Sequence, residues 1–298
     1  MTRLSTLAFA ATAAALLAQP ALAQESPTLK KIKDSGTIAL GHRESSIPFS
    51  YYDDKQQVVG YSQELMLKVV DAVKADLKLS SLAVKLTPVT SQNRIPLVQN
   101  GTIDIECGST THNAERARQV AFSNTIFIIG TRLMTKKDSG IKDFPDLAGK
   151  NVVTTAGTTS ERLIRKMNEE KKLGMNIISA KDHGEAFLTL ETGRAVAFMM
   201  DDALLYGELA KAKRPADWAV VGTPQSFEAY GCMMRKDDPG FKKVVDAAIA
   251  RTMTSGEAEA IYKKWFTQPI PPKGLNLNFP LSDSMQKLFK APNDRPFE

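Results

Sequence analysis

Two long β-prone runs constrain the fold of this chain more than any other feature. They are Thr125 to Thr135 (TIFIIGTRLMT) and Ser226 to Met234 (SFEAYGCMM). β-Branched and aromatic residues favour extended strands. Because each run is long enough to cross between lobes, we expect a discontinuous first lobe (24–129 and 226–298) and an inserted second lobe (130–225).

The segments around these runs alternate between helical and strand patterns. One predicted helix carries apolar residues at every fourth position, which form one buried face: Tyr61, Leu65, Val69, Val73 and Leu77. Short apolar strands are predicted at Thr37–Gly41, Val84–Pro88, Ile103–Cys107, Asn151–Thr155 and Asn176–Ala180. Ser91 is placed to cap a helix that runs through Gln99. This alternation predicts an α/β fold, in which ligands bind at the carboxyl ends of strands.

The first 23 residues have the features of a signal peptide. Arg3 gives a positive start, Leu4 to Leu17 is an Ala-rich apolar run, and Ala21-Leu22-Ala23 is a small-x-small cleavage site. The apolar run is too short for a membrane span. We therefore expect cleavage before Gln24 and residence in a periplasm.

The chain has two cysteines, Cys107 and Cys232. A sparse pair in an oxidising compartment tends to be bridged, although each could also be a small buried residue in a strand. Since both lie in segments assigned to the sheet of the first lobe, we predict a disulfide between them.

The charge balance is modestly basic. The formal net charge is +6, and loss of Arg3 with the signal peptide lowers it to +5. Such an excess favours anionic ligands or a membrane surface. Nucleic acid is not an expected partner, because no Lys/Arg run with interleaved aromatic residues is present.

Motifs for catalysis are missing from the sequence. There is no G-x-S-x-G, H-E-x-x-H, C-x-x-C or Walker pattern. His42, His112 and His183 lie in unrelated segments without the spacing of metal ligands. We expect neither a catalytic residue, nor a metal, nor a cofactor.

Groups suited to binding recur where strands end. Ser109, Thr110 and Thr111 follow one strand, and Arg116 comes a few residues later. Hydroxyls, backbone N–H groups and a guanidinium make a good carboxylate receptor. A second anion-binding site is expected at 157–160 (GTTS), between a strand and a helix N-terminus. The alternative for the first segment is a strand end with an N-cap and a surface arginine, and for the second it is ordinary helix capping.

Three further charged residues lie at such ends. Asp201 ends an apolar strand, where a lone carboxylate needs a cationic partner such as a ligand ammonium. Arg43 follows a strand, and Arg94 lies in the first turn of a helix, where the helix dipole disfavours a cation. Either arginine could be a solvated surface charge, but a nearby anion would offset the unfavourable placement.

With these residues in place, the chain resembles the periplasmic amino-acid-binding proteins of ABC transporters, from about Leu29 to Leu281. The resemblance is carried by the order and spacing of GYSQEL, SQNRIPLVQNGTIDIECGSTT, ERARQVAFSNTIF, DLAGKNVVTTAGTTSE, GRAVAFMMDDALL, YGCMMRKDDP and GEAEAIYKKWF. HRESSIPFSYYD, TSQNRIP and SAKDHG are most similar to the glutamate/aspartate-binding branch.

This resemblance implies a two-lobed clamshell with two hinge strands that delivers a ligand to membrane permease subunits. It assigns the ligand α-carboxylate to Arg116, Ser109 and Thr111, with Thr159 closing from the other lobe. It assigns the α-ammonium to Asp201. The side-chain carboxylate is assigned to Arg43, Ser91, Arg94 and His183. A monomer is expected.

Two other functions are compatible with the same features. Some periplasmic dehydratases of prephenate-like substrates resemble this fold, and His183 or a carboxylate would then serve as general acid. A ligand-sensing domain of a membrane receptor is the other, but no transmembrane helix follows it in the sequence.

Overall fold

A computed structural model describes residues 26–296, and the predicted signal peptide (1–23) lies outside these residues. The helices are α1 (Pro27–Ser35), α2 (Tyr61–Asp76), α3 (Arg94–Gln99), α4 (Ala114–Ala117), α5 (Thr159–Glu170), α6 (His183–Glu191), α7 (Asp202–Lys211), α8 (Pro239–Thr254), α9 (Glu257–Phe266) and α10 (Asp283–Lys290). The strands are β1 (Thr37–His42), β2 (Ser45–Ser46), β3 (Ser50–Tyr52), β4 (Val58–Val59), β5 (Ala83–Pro88), β6 (Ile105–Glu106), β7 (Ala121–Lys136), β8 (Asn151–Thr155), β9 (Asn176–Ala180), β10 (Ala197–Asp201), β11 (Trp218–Val221), β12 (Phe227–Met234), β13 (Pro269–Ile270) and β14 (Leu275–Asn276).

Local sequence signals account for these elements. Helix α1 begins with Pro27, its cap Ser26 accepts a hydrogen bond from the Leu29 N–H, and it ends at Gly36 with φ of 64°. Helix α2 buries Leu65, Val69 and Val73 as the four-residue spacing predicts. Among residues 26–296, no helix is both long enough and apolar enough to cross a membrane.

A nine-stranded sheet runs through the molecule. Its order is β5-β1-β6-β12-β7-β10-β8-β9, with β11 paired to β7. Strands β5, β1 and β6 are parallel, as are β10, β8 and β9, whereas β7 and β12 run antiparallel to their neighbours. The sheet therefore consists of two parallel α/β halves joined by two antiparallel strands.

Strand β7 changes partners along its length. Its first part pairs with β12 as far as Gly130 and Phe227, and from Thr131 onward it pairs with β10. The long run beginning at Thr125 is thus a crossing between the two halves, as its length predicts.

Apolar side chains alternate between the two faces of each half. In β10, Phe198 and Met200 join the large central core, whereas Ala197 and Met199 join a separate cluster on the other face. A third cluster around Val98 and Phe122 covers the corresponding face of the first half.

The predicted disulfide is confirmed. Cys107 immediately follows β6 and bonds to Cys232 of β12, with the two Cα atoms 4.3 Å apart. The two strands are adjacent in the sheet. The bond closes a sequence separation of 125 residues. On the chain-entropy model such a loop stabilises the fold by at most about 5 kcal/mol.

Two local predictions were wrong. The strand predicted at Ile103–Cys107 is only Ile105–Glu106, because the chain turns to form the polar loop that follows. Ser91 does not cap α3. Asn93 holds the cap position without a side-chain hydrogen bond, and Ser91 lies in the preceding turn.

Candidate functional site

Most of the sequence-predicted binding residues lie close together at the junction of the two halves, which we call the cleft. Eight are buried and Thr159 is half-buried: Arg43, Ser91, Arg94, Ser109, Thr111, Arg116, His183 and Asp201 are the buried ones. They come from strand ends and helix N-termini on both sides, so buried polar groups face each other where the two halves meet.

The hydroxyl loop at 109–112 is fixed against β12. Thr111 forms an isolated bridge with Tyr230, the His112 N–H donates to the Ala229 carbonyl, and the Gly231 N–H donates to the Thr110 carbonyl. These backbone bonds hold the loop in position, and its hydroxyls are therefore available for other contacts.

Two arginines lie behind this loop. Arg94 donates from Nη1 to the Ser109 carbonyl at 3.0 Å and to the Thr110 hydroxyl, and Arg43 donates to Ser109 Oγ at 3.4 Å. Because Gly108 has no side chain, Arg43 and Glu106 can pack closely against the backbone there. A Cβ there would overlap a carboxylate oxygen of Glu106 and lie 2.8 Å from Arg43 Cγ.

Arg116 connects the two sides of the cleft. Helix α4 is capped by Asn113, whose side chain accepts from the Arg116 N–H. The guanidinium donates to the Thr111 carbonyl at 3.0 Å and to the Gly157 carbonyl, on the opposite side, at 3.2 Å.

The three guanidinium groups are all buried, and the charge of Glu106 partly offsets the lowering of their pKa values. Burial and the nearby Arg94 charge lower the pKa of Arg43 to about 10 and that of Arg116 to about 9, and burial lowers the pKa of Arg94. All three remain protonated at neutral pH. Within residues 26–296, no salt bridge joins any of them to a carboxylate. Unpaired buried charge is unfavourable, so the site favours an anion.

Four buried polar atoms near these arginines lack a hydrogen-bond partner in the described part of the chain. They are Arg94 Nε, Ser91 Oγ, His183 Nε2 and the carboxylate atom Glu106 Oε1. Burial, together with the charges of Arg43 and Arg94, lowers the pKa of His183 well below its usual value. Its Nδ1 contacts Thr155 Oγ1 at 2.8 Å. The ring is therefore neutral near pH 7, and its buried Nε2 is a further polar group without a partner among the described residues.

Asp201 lies on the opposite side of the site, at the end of β10. Its carboxylate accepts from Thr131 at 3.2 Å, from Ser160 at 3.3 Å and from the Tyr230 hydroxyl. Burial and the neighbouring Glu228 charge raise the pKa of Asp201 to about 8. Its ionised form would be stabilised by a cation.

Glu228 also belongs to this site, and the sequence reasoning missed it. It is 6% exposed and accepts hydrogen bonds from Thr111 and Thr159. The available signal was a charged residue inside the otherwise β-prone run 226–234. Among residues 26–296, no group of three or more His, Cys, Asp or Glu side chains is arranged to hold a metal ion.

Two α/β halves joined by crossing strands, with polar groups from both sides in the cleft, define a two-lobed ligand-binding protein. Residues 38–268 match the family of bacterial extracellular solute-binding proteins, family 3, and the chain belongs to that family.

Sequence and structure comparisons with individual proteins support the same assignment. The chain is 67% identical over 287 residues to an L-glutamate/L-aspartate-binding protein of Pseudomonas aeruginosa, covering 96% of this chain and 95% of the relative. It is 63% identical over 289 residues to a glutamate/aspartate import solute-binding protein of Escherichia coli K12, covering 97% and 96%. A variant of ArgBP from T. maritima superimposes with a TM-score of 0.72 at 26% identity, covering 80% of this chain and 98% of that one.

These comparisons confirm the predicted family resemblance and the two-lobed fold. They also favour the solute-binding function over the dehydratase alternative, because these close relatives are binding proteins. The extracellular location of the family agrees with the expected export of the chain.

Proposed function

We propose that this protein captures acidic L-amino acids, glutamate or aspartate, between its two lobes and delivers them to an ABC importer. The observation that carries the proposal is the pair of buried arginines, Arg43 and Arg94, beside Arg116. One guanidinium suffices for the α-carboxylate that all amino acids share. Two more are expected only where the ligand has a second carboxylate. The names of the two relatives support the same ligands.

Each end of the ligand has a proposed receptor. Arg116 with Ser109, Thr111 and Thr159 binds the α-carboxylate, and Asp201 binds the α-ammonium. The side-chain carboxylate is received by Arg43, Ser91, Arg94 and His183. The partnerless atoms Arg94 Nε, Ser91 Oγ and His183 Nε2 support this last assignment, because buried polar groups are normally hydrogen-bonded.

The proposal also covers the export, location and partners of the protein. Residues 1–23 are cleaved on export, and the mature chain acts as a monomer in the periplasm. Segments 24–129 and 226–298 form the first lobe and 130–225 the second. The partners are the amino acid and the permease subunits of the importer, with no role for nucleic acid.

A calorimetric titration of the purified protein with glutamate, aspartate, glutamine and arginine tests the proposal. We expect binding of glutamate and aspartate, with glutamine at least about 100-fold weaker, because it leaves buried guanidinium charge without its anion. Equal affinity for glutamine, or preferential binding of arginine, would refute the acidic ligand class.

A further inference from the structure

Glu228 occupies a position that the proposed ligand contacts do not explain. It is the second residue of β12, next to the point where the chain crosses between lobes. One oxygen, Oε2, accepts from Thr111 Oγ1 and, at 2.8 Å, from Thr159 Oγ1. The other, Oε1, accepts from Ser226 Oγ at 3.3 Å. A single buried carboxylate thus holds hydroxyls from both proposed lobes.

Glu228 and Asp201 belong to one hydrogen-bonded network. Thr131 Oγ1 donates to Asp201 at 3.2 Å and lies 2.7 Å from Ser226 Oγ, which contacts Glu228. The N-terminus of α5 links the same pair, because Thr159 donates to Glu228 and Ser160 to Asp201. The two carboxylates are therefore linked through two short series of hydrogen-bonding groups and lie close enough for the Glu228 charge to act on Asp201.

In the stretch 26–296, no ion pair involves Asp201 or Glu228. The Glu228 charge contributes to the raised pKa of Asp201, as expected for like charges in a buried site. A cation placed between them would relieve both the repulsion and the cost of burial.

The hydroxyl protons impose a further condition. A threonine hydroxyl has one proton to donate, and those of Thr111 and Thr159 point to Glu228. For these hydroxyls to bind an α-carboxylate, Glu228 must receive other donors. An α-ammonium has three N–H donors and arrives on the same ligand.

We propose that Glu228 is a second carboxylate of the ammonium receptor and exchanges its hydrogen-bond donors when the ligand binds. The ligand ammonium replaces the hydroxyls of Thr111 and Thr159 at Glu228, and the freed hydroxyls turn to the ligand α-carboxylate. This inference rests on the proposed function. It makes binding depend on both charged groups at the ligand Cα.

The test compares L-glutamate with L-2-hydroxyglutarate, which keeps both carboxylates and lacks the ammonium. Affinities are measured by calorimetry for the wild type and Glu228→Gln, with the analogue titrated in competition against glutamate. Glu106→Gln is the matched control, because Glu106 is also buried and accepts a threonine hydroxyl, that of Thr110, at 2.7 Å.

The wild type should bind L-glutamate much more tightly than L-2-hydroxyglutarate. In Glu228→Gln the ratio of the two affinities should fall by about tenfold or more, the size of a charge-assisted hydrogen bond. Glu106→Gln should keep the wild-type ratio. Glu228→Asp, which retains the charge, should discriminate better than Glu228→Gln.

An unchanged ratio of the two affinities in Glu228→Gln would overturn the inference. If both affinities fell by the same factor, Glu228 would serve only to link the two lobes. Circular dichroism of each variant excludes misfolding as the cause, and Glu228→Asp supplies the comparison if the Gln variant does not fold. If the wild type binds no acidic amino acid, the proposed function fails instead.

Discussion

At the scale of single residues, the site holds buried groups of opposite charge that form no salt bridge with one another within residues 26–296. Arg43 and Arg94 lie behind the hydroxyl loop of the first half, Asp201 ends β10 in the second half, and Arg116 and Glu228 contact groups of both halves. Direct pairing between them would fill the site with internal salt bridges. Keeping them apart leaves each free to meet an oppositely charged group of a ligand, which binds more strongly because the site is buried.

Proton release should accompany binding. The pKa of Asp201 is about 8, raised by burial and by Glu228, so the group is mostly protonated near neutral pH in the ligand-free protein. A ligand ammonium stabilises the ionised form, lowers this pKa and expels the proton. Affinity for glutamate should therefore rise with pH up to about 8, approaching tenfold per pH unit.

Calorimetry in two buffers with different ionisation enthalpies measures this release. Near pH 7 the apparent binding enthalpy should differ between phosphate and Tris in the direction of proton release, and the difference should shrink above pH 8. Identical enthalpies in both buffers near pH 7 would show that Asp201 is already ionised before the ligand arrives.

At the scale of elements, two helix positions of the proposed second lobe lie against the first. Gly207 of α7 packs so closely on the loop after β2 that a Cβ would overlap the Ile47 carbonyl oxygen. Gly184 of α6 faces Ser45, and its N–H donates to Ser45 Oγ at 3.3 Å, but a Cβ there would meet its nearest atom at 3.4 Å.

These two glycines make a matched pair of variants. Gly207→Ala should weaken glutamate binding by about tenfold or more. The added methyl group would collide with the Ile47 backbone, which cannot move aside, and would keep the lobes apart. Gly184→Ala should bind nearly as the wild type does, since 3.4 Å is an ordinary van der Waals contact. Affinity is measured by calorimetry and folding by thermal denaturation. Equal effects of the two substitutions would contradict the role given to α7.

Sequence patterns predicted elements where periodicity and capping were strong. Helix α2 follows its four-residue spacing, and β9 has the predicted bounds because an apolar run is flanked by polar turns. The cap of α3 was wrong because Ser91 and Asn93 are both good caps, and only the turn geometry decides between them. Glu228 was missed because its role depends on Thr111 and Thr159, which lie far away in the sequence.

At the scale of the whole molecule, β7 and β12 connect the two lobes through one continuous sheet. Strand β7 changes partners between Gly130 and Thr131, and we expect the lobes to turn relative to each other there. A ligand that contacts both lobes stabilises the closed arrangement and shifts the population towards it. The sequence predicted this crossing because the β-prone run is long enough to reach from one lobe to the other.

Small-angle X-ray scattering with and without glutamate follows this closure. The radius of gyration should decrease on saturation with glutamate and stay constant with arginine, which should not bind. An unchanged radius with bound glutamate would contradict closure on the ligand.

The central claim is that Arg43 and Arg94 receive a second carboxylate of the ligand. The most direct test is the ratio of glutamate to glutamine affinity in the wild type, Arg43→Met and Arg94→Met, with Arg116→Met as the comparison. Replacing Arg43 or Arg94 should lower the affinity for glutamate far more than the affinity for glutamine. The ratio of the two affinities should fall by about tenfold or more. Arg116→Met should abolish binding of both, because both carry the α-carboxylate. A wild-type ratio in the Arg43 and Arg94 variants would contradict the account.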